Sequence, residues 1–134
     1  MSTYYTGGCL CGKIHYRING EPLRTMLCHC RTCRRQAGGP ASAFAIFLRQ
    51  GVEVIRGEPR SFQSSPHGTR HFCGNCGSLL FFQEQDSLEI DIFLGSLDEP
   101  EKLPPLAYQT WITRRLSWFP KMPELKSYSE ERKA

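Results

Sequence analysis

Seven cysteines fall in three tight groups and none stands alone: Cys9 and Cys11 in GGCLCGK, Cys28, Cys30 and Cys33 in CHCRTC, and Cys73 and Cys76 in FCGNCG. Thiols that serve as small core residues scatter along a chain, whereas thiols gathered within a few residues of one another are spaced as metal ligands. An odd number cannot all pair as disulfides. The opening residues, MSTYYTGG, lack the basic, apolar and small-residue layout of a secretory signal, so a reduced, cytoplasmic setting is expected. Zinc is the default ion for thiolates in that setting.

Tetrahedral zinc takes four donors in a closed structural site and three donors plus an open position in a catalytic one. Seven thiols divide in two ways. Pairing Cys30-x-x-Cys33 with Cys73-x-x-Cys76 gives a ribbon-like site, but 39 residues separate the pairs and Cys9, Cys11 and Cys28 are left over; a compact ribbon has about 15–20. The other arrangement puts Cys28, Cys30 and Cys33 on one ion and lets the first and last groups clamp a second, which uses every cysteine once. Gly8, Gly12, Gly74 and Gly77 flank the outer ligands, as tight turns that aim amides at sulfur require. After Cys30 a short helix is expected that must end by Gly38 or Gly39, with Cys33 in its first turn.

At 134 residues, with 12 Gly and 9 Pro, the chain is read as a turn-rich single domain, residues 1–126, followed by a polar, frayed tail, 127–134. Its most apolar stretch, residues 41–48, is far short of the ~20 needed to cross a bilayer, so no membrane role is expected. Side chains alternate in KIHYRIN, with Ile14, Tyr16 and Ile18 on one face. They alternate again in SLEIDIFLGSL, with Leu88, Ile90, Ile92 and Leu94 opposed to Glu89, Asp91 and Phe93. SAFAIFL, SLLFFQ, VEVIRG, RSFQSS and Tyr108 to Thr113 add further strands, so the fold class is mainly β. The net charge of +4 is not arranged in the dense stripes that nucleic acid demands, and 12 of the 17 basic residues are Arg, which suits a small anionic ligand better than a polyanion.

GGCLCGKIHYR, CHCRTCRRQAGGPASAFAIF and RHFCGNCGSLLFF together resemble the glutathione-dependent formaldehyde-activating enzyme family, which includes the centromere protein V type, over roughly residues 6 to 120. The resemblance implies an Mss4-like fold of coiled antiparallel sheets with zinc knuckles. It implies two zinc ions: a structural one held by Cys9, Cys11, Cys73 and Cys76, and a catalytic-type one on Cys28, Cys30 and Cys33. Gln109 stands where many relatives carry a His. The activity implied is that of a carbon–sulfur lyase acting on a glutathione adduct of formaldehyde or a related small aldehyde; the alternatives are a zinc-stabilised binding module or a glutathione carrier without turnover.

One divalent ion with three thiolates keeps a net negative charge, which suits a soft fourth ligand better than activated water. Arg31, Arg34 and Arg35 surround the middle cluster and are the sequence's candidates for offsetting that charge and binding the carboxylates of glutathione. His29, between two ligands, is expected to turn away from the ion, and Tyr108, Trp111 and Trp118 are candidates to roof a pocket over it.

Overall fold

The computed structural model describes residues 4–132. Eleven strands and one helix follow one another as β1 (Tyr4–Gly8), β2 (His15–Asn19), β3 (Arg24–Cys28), α1 (Arg31–Ala37), β4 (Ser42–Leu48), β5 (Val52–Arg56), β6 (Arg60–Ser65), β7 (Gly68–Phe72), β8 (Leu79–Glu84), β9 (Glu89–Phe93), β10 (Tyr108–Thr110) and β11 (Lys126–Ser127). They form a three-stranded sheet, β1-β2-β5, and an eight-stranded sheet in the order β11-β10-β3-β4-β9-β8-β7-β6. Antiparallel pairing runs from β3 to β6, whereas β10 joins β3 and β11 in parallel. The expected mainly β architecture is thus what the chain adopts.

Alternation divides the large sheet into two working faces. One face places Ala45, Phe47, Ile90 and Ile92 against Tyr5, Ile14, Tyr16 and Ile18 of the small sheet, forming the main core with Leu80 and Phe81. The other carries Met26, Cys28, Phe44, Ile46 and Phe93, with Cys33 of α1 and Tyr108 of β10, as a second cluster. Phe93, which interrupts the polar side of β9 in the sequence, therefore packs beside Phe44 at a ring separation of 4.6 Å. Leu88, expected inside, lies just before β9 begins and is exposed.

Helix α1 starts where the sequence indicates. Cys30 caps it, its sulfur accepting the Cys33 N–H at 3.3 Å, and Gly38 ends it at φ 70°, a left-handed conformation that glycine adopts without a Cβ clash. The segment from Ser127 differs from expectation. Gln109 holds it through the Ser127 hydroxyl at 2.9 Å, Trp111 N–H donates to Glu130 O at 2.9 Å, and the Tyr128 ring stands edge-on to Tyr108. Backbone donors freed where β10 ends find acceptors in this segment, so residues 127–130 are docked rather than frayed; residues 133 and 134 lie outside the described ones. Among the described residues, no helix is long and apolar enough to cross a membrane.

Ile92, fully buried in the middle of the large sheet, links the two layers. Truncating it to Ala is expected to cost about 2–5 kcal/mol, read from the urea midpoint at unchanged slope.

Candidate metal centres and the cavity beside the triad

The chain brings its seven sulfurs together as a four and a three. Cys9, Cys11, Cys73 and Cys76 have all four sulfurs within 4.8 Å of one another, and so do the three of Cys28, Cys30 and Cys33. A tetrahedron with ~2.3 Å zinc–sulfur bonds has edges of about 3.8 Å. Cys9 and Cys11 sulfurs are 3.6 Å apart and those of Cys11 and Cys73 3.8 Å, so this donor set fits a zinc ion in spacing as well as in chemistry. The turns that present them are knuckles. Gly12 N–H donates to Cys9 O at 3.1 Å and Gly77 N–H to Cys73 O at 2.8 Å, both glycines at φ near +80°, while Ile14 and Asn75 N–H groups point at the Cys9 and Cys73 sulfurs. One turn follows β1 and the other follows β7, so the sulfurs join the small sheet to the large one.

The triad is assembled differently. Cys28 ends β3, Cys30 caps α1 and Cys33 lies one turn inside it, with Cys28 and Cys33 buried and Cys30 half-buried. Without a cation, three adjacent thiols cannot all ionise. Hydrogen bonds from the Cys28 and Cys33 thiols, the Cys33 N–H and the field of Arg70 hold Cys30 far below the usual thiol range. Cys28 is raised mainly by Cys30, and Cys33 is raised by Cys28 first, then by Cys30 and by burial. A soft divalent cation removes this conflict by taking all three as thiolates.

All three cysteines border a cavity of about 310 Å³, lined also by Arg24, Arg70, Glu84, Asp91, Tyr108 and Trp111. Arg31, Arg34 and Arg35 do not line it. The guanidinium that meets the triad is Arg70 of β7, 4 % exposed, whose Nη2 donates to Cys33 Sγ at 3.7 Å while Nη1 is buried without a partner. Arg24 pairs with Glu89, which draws the Glu89 carboxyl below its usual range. Of the three aromatics named from sequence, Tyr108 and Trp111 reach the cavity and Trp118 is 70 % exposed. His29 turns away as expected: Gln109 Nε2 donates to Lys121 O and Ser127 Oγ, leaving its Oε1 to accept from His29 Nε2 at 2.9 Å. Gln109 is buried and does not line the cavity.

Arg70 and Asp91 escape a reading of the sequence because their proximity to the triad is set by strand order. The one available signal was the placement of Asp91 on the same alternating face as Phe93, a carboxyl beside an apolar neighbour. Burial, with the nearby Glu84 carboxyl, pushes Asp91 up to about 7.

A two-sheet β domain with one closed four-sulfur set and one three-sulfur set opening on a cavity is what fold and site define. The chain belongs to the glutathione-dependent formaldehyde-activating enzyme family, whose model matches residues 4–114. It is 36% identical over 78 residues to a Schizosaccharomyces pombe protein named as an uncharacterized lyase, a match covering 58% of this chain and 56% of that one, so little more than half of that relative's length is spanned. It is 26% identical over 136 residues to a Halomonas elongata protein provisionally named a glutathione-dependent formaldehyde-activating enzyme, covering 94% of this chain and 83% of that one. A crystal structure of a Rhodobacter sphaeroides protein has the same fold, with a TM-score of 0.60 at 18% identity over 92% of this chain and 98% of that one.

Two outcomes follow. Cys11 is exposed, and an ordinary surface substitution changes stability by about 0.5 kcal/mol at most. As a metal ligand, Cys11→Ser is expected to cost several kcal/mol, a fraction of the ~10–16 kcal/mol with which structural zinc holds small domains, and to release one ion on chelator titration. For Asp91 the folded pKa lies above the unfolded value of 3.8, so the folded protein binds the extra proton between about pH 4 and pH 7 and stability falls as pH rises through that window. Asp91→Asn should match wild type near pH 4 and exceed it above pH 7, by up to about 4 kcal/mol, in thermal melts.

Proposed function

We propose that the chain is a zinc-dependent carbon–sulfur lyase that joins glutathione to formaldehyde, or a related small aldehyde, and cleaves the adduct. Two zinc ions are assigned: a structural one to Cys9, Cys11, Cys73 and Cys76, and a reactive one to Cys28, Cys30 and Cys33. The operative unit is a single domain, residues 1–126, completed by the segment docked after it at 127–130. The observation that carries this reading is the asymmetry of the two sulfur sets, one complete as a tetrahedron and the other three-membered and open to a cavity. The names of the relatives support the substrate class.

Zinc on the triad would supply a soft Lewis acid that holds a fourth sulfur as thiolate. The chain's own residues do the rest. Arg70, donating to Cys33, offsets the excess negative charge of three thiolates and keeps the set compact. Tyr108, Trp111 and Phe44 supply apolar wall beside the triad, against which a small aldehyde can pack. In the forward direction the substrate sulfur bonds to the aldehyde carbon, the carbonyl π pair moves to oxygen, and that oxygen gains the proton the thiol lost. The reverse direction breaks the same bond and returns the proton to sulfur.

Exchange NMR on a glutathione–formaldehyde mixture tests the assignment. Two-zinc protein is expected to accelerate interconversion of thiol and adduct, and Cys33→Ser to lower that acceleration by at least about a hundredfold while one ion and a cooperative melt persist. A protein that binds glutathione yet leaves the exchange rate at its buffer value is a carrier. An unfolded Cys33→Ser chain removes the distinction between the two sulfur sets.

A further inference from the structure

Residues 127–132 are fastened to the large sheet by backbone rather than by side chains. Tyr128 N–H donates to Gln109 O at 3.0 Å, Trp111 N–H to Glu130 O at 2.9 Å, and the N–H groups of Ile112 and Thr113 to Tyr128 O and Ser129 O. Tyr128, half-buried, is the one apolar side chain the segment brings, and the others are exposed. Its ring stands edge-on to Tyr108 at 5.8 Å, and the Arg132 guanidinium lies 5.6 Å over the same Tyr108 ring. The ladder between β10 and β11 spans two residues. β4, by contrast, is buried on both faces along most of its length. A segment with few buried apolar contacts opens at a much lower free energy than the strands of a core.

The same seam holds a strained residue. Trp111 takes φ 57° and ψ 42°, the left-handed region, which a bulky side chain resists and which tertiary contacts must enforce. The bond from its N–H to Glu130 O is one such contact. Its side chain borders two cavities: that of the triad, with Glu131 and Arg132, and a second of about 670 Å³ lined otherwise by residues 127–132 alone. Releasing the segment therefore frees Trp111 to relax and withdraws Glu131 and Arg132 from the triad at the same time. Gln109 links this seam to the ligands themselves. Its carbonyl accepts from Tyr128, its side-chain amide donates to Ser127 Oγ, and its Oε1 accepts from His29, which lies between Cys28 and Cys30 in the chain. We infer that residues 127–132 are a strap that docks and undocks as a unit, completing the wall of the triad cavity when docked, so that occupancy of the cavity and docking of the strap reinforce each other. The inference rests on the lyase reading for what occupies the cavity and adds how that site is regulated. The free protein alternates between a walled cavity and an open one, and a ligand that touches Trp111, Glu131 or Arg132 selects the first.

The experiment is amide hydrogen exchange on zinc-loaded wild type, with and without glutathione. Without it, the amides of Trp111, Ile112, Thr113 and Tyr128 are expected to exchange together, at least about a hundredfold faster than those of β4. With glutathione at about 100 times its Kd they should slow by up to about a hundredfold, because a ligand held only by the docked form suppresses opening in proportion to its occupancy. Seam amides as slow as those of β4, or unchanged by bound glutathione, overturn the strap. Tyr128 lies outside the lining of the triad cavity. Tyr128→Ala should speed the seam amides by about tenfold, the usual worth of a lost aromatic contact, and leave β4 as it was. A Tyr128→Ala chain that speeds both equally, or that does not fold, shows one cooperative unit and overturns the strap as well. Should glutathione not bind, the lyase reading falls and the comparison of one-ion with two-ion protein decides the strap. Slower seam exchange with the triad ion in place then supports it, and equal exchange overturns it.

Discussion

Strict alternation of side chains along β3, β4 and β9 is the constraint from which the rest of the molecule follows. In β4 and β9 every second residue enters the main core and the apolar residues between them enter the cluster beside the triad, so the seven residues of β4 build both. Both faces are covered, which is why SAFAIFL reads as an apolar run while SLEIDIFL alternates more visibly. A slip of one residue in β9 would bury Glu89 and Asp91 against the small sheet and send Ile90 and Ile92 into the cavity. The penalty for burying two unpartnered carboxyls in an apolar layer makes that register inaccessible.

The two sulfur sets solve different physical problems. The outer set ties turns of two sheets that the sequence separates by about sixty residues, and its backbone N–H···S contacts come from the same knuckles that supply the ligands, so its charge is compensated locally. The triad sits on one short segment and closes no long loop. Its compensation comes from β7, through Arg70, which ties its geometry to the tertiary fold. Loss of an outer ligand therefore acts on global stability, whereas loss of a triad ligand acts on a local cluster at one end of the large sheet.

How much of this was legible in the sequence depends on the range of the interaction. Cys30 capping α1, Gly38 ending it and the strand at 42–48 are set by residues within a few positions, and composition alone points to them. Grouping seven thiols as four and three needed only counting and ligand chemistry. Arg31, Arg34 and Arg35 illustrate where that approach ends: they adjoin the triad in sequence, yet α1 carries them off the cavity lining and Arg70, 37 residues beyond Cys33, takes the contact. The docking of residues 127–130 was hidden for a related reason, since a polar composition does not reveal that its backbone groups complete the end of β10.

Arg70 and Asp91 also bear on why this face is not simply more core. Ile46, Phe82 and Phe93 surround them, and an aliphatic residue in place of Asp91 would extend the apolar layer while removing a carboxyl that burial disfavours. Folding alone thus gains nothing from the charge. Structural ion pairs in this protein are direct, as Arg24 with Glu89, and each relieves the other's desolvation. Asp91 gains no such direct contact, Arg24 being engaged by Glu89 and Arg70 by Cys33, so the fields of these two arginines offset its desolvation only in part.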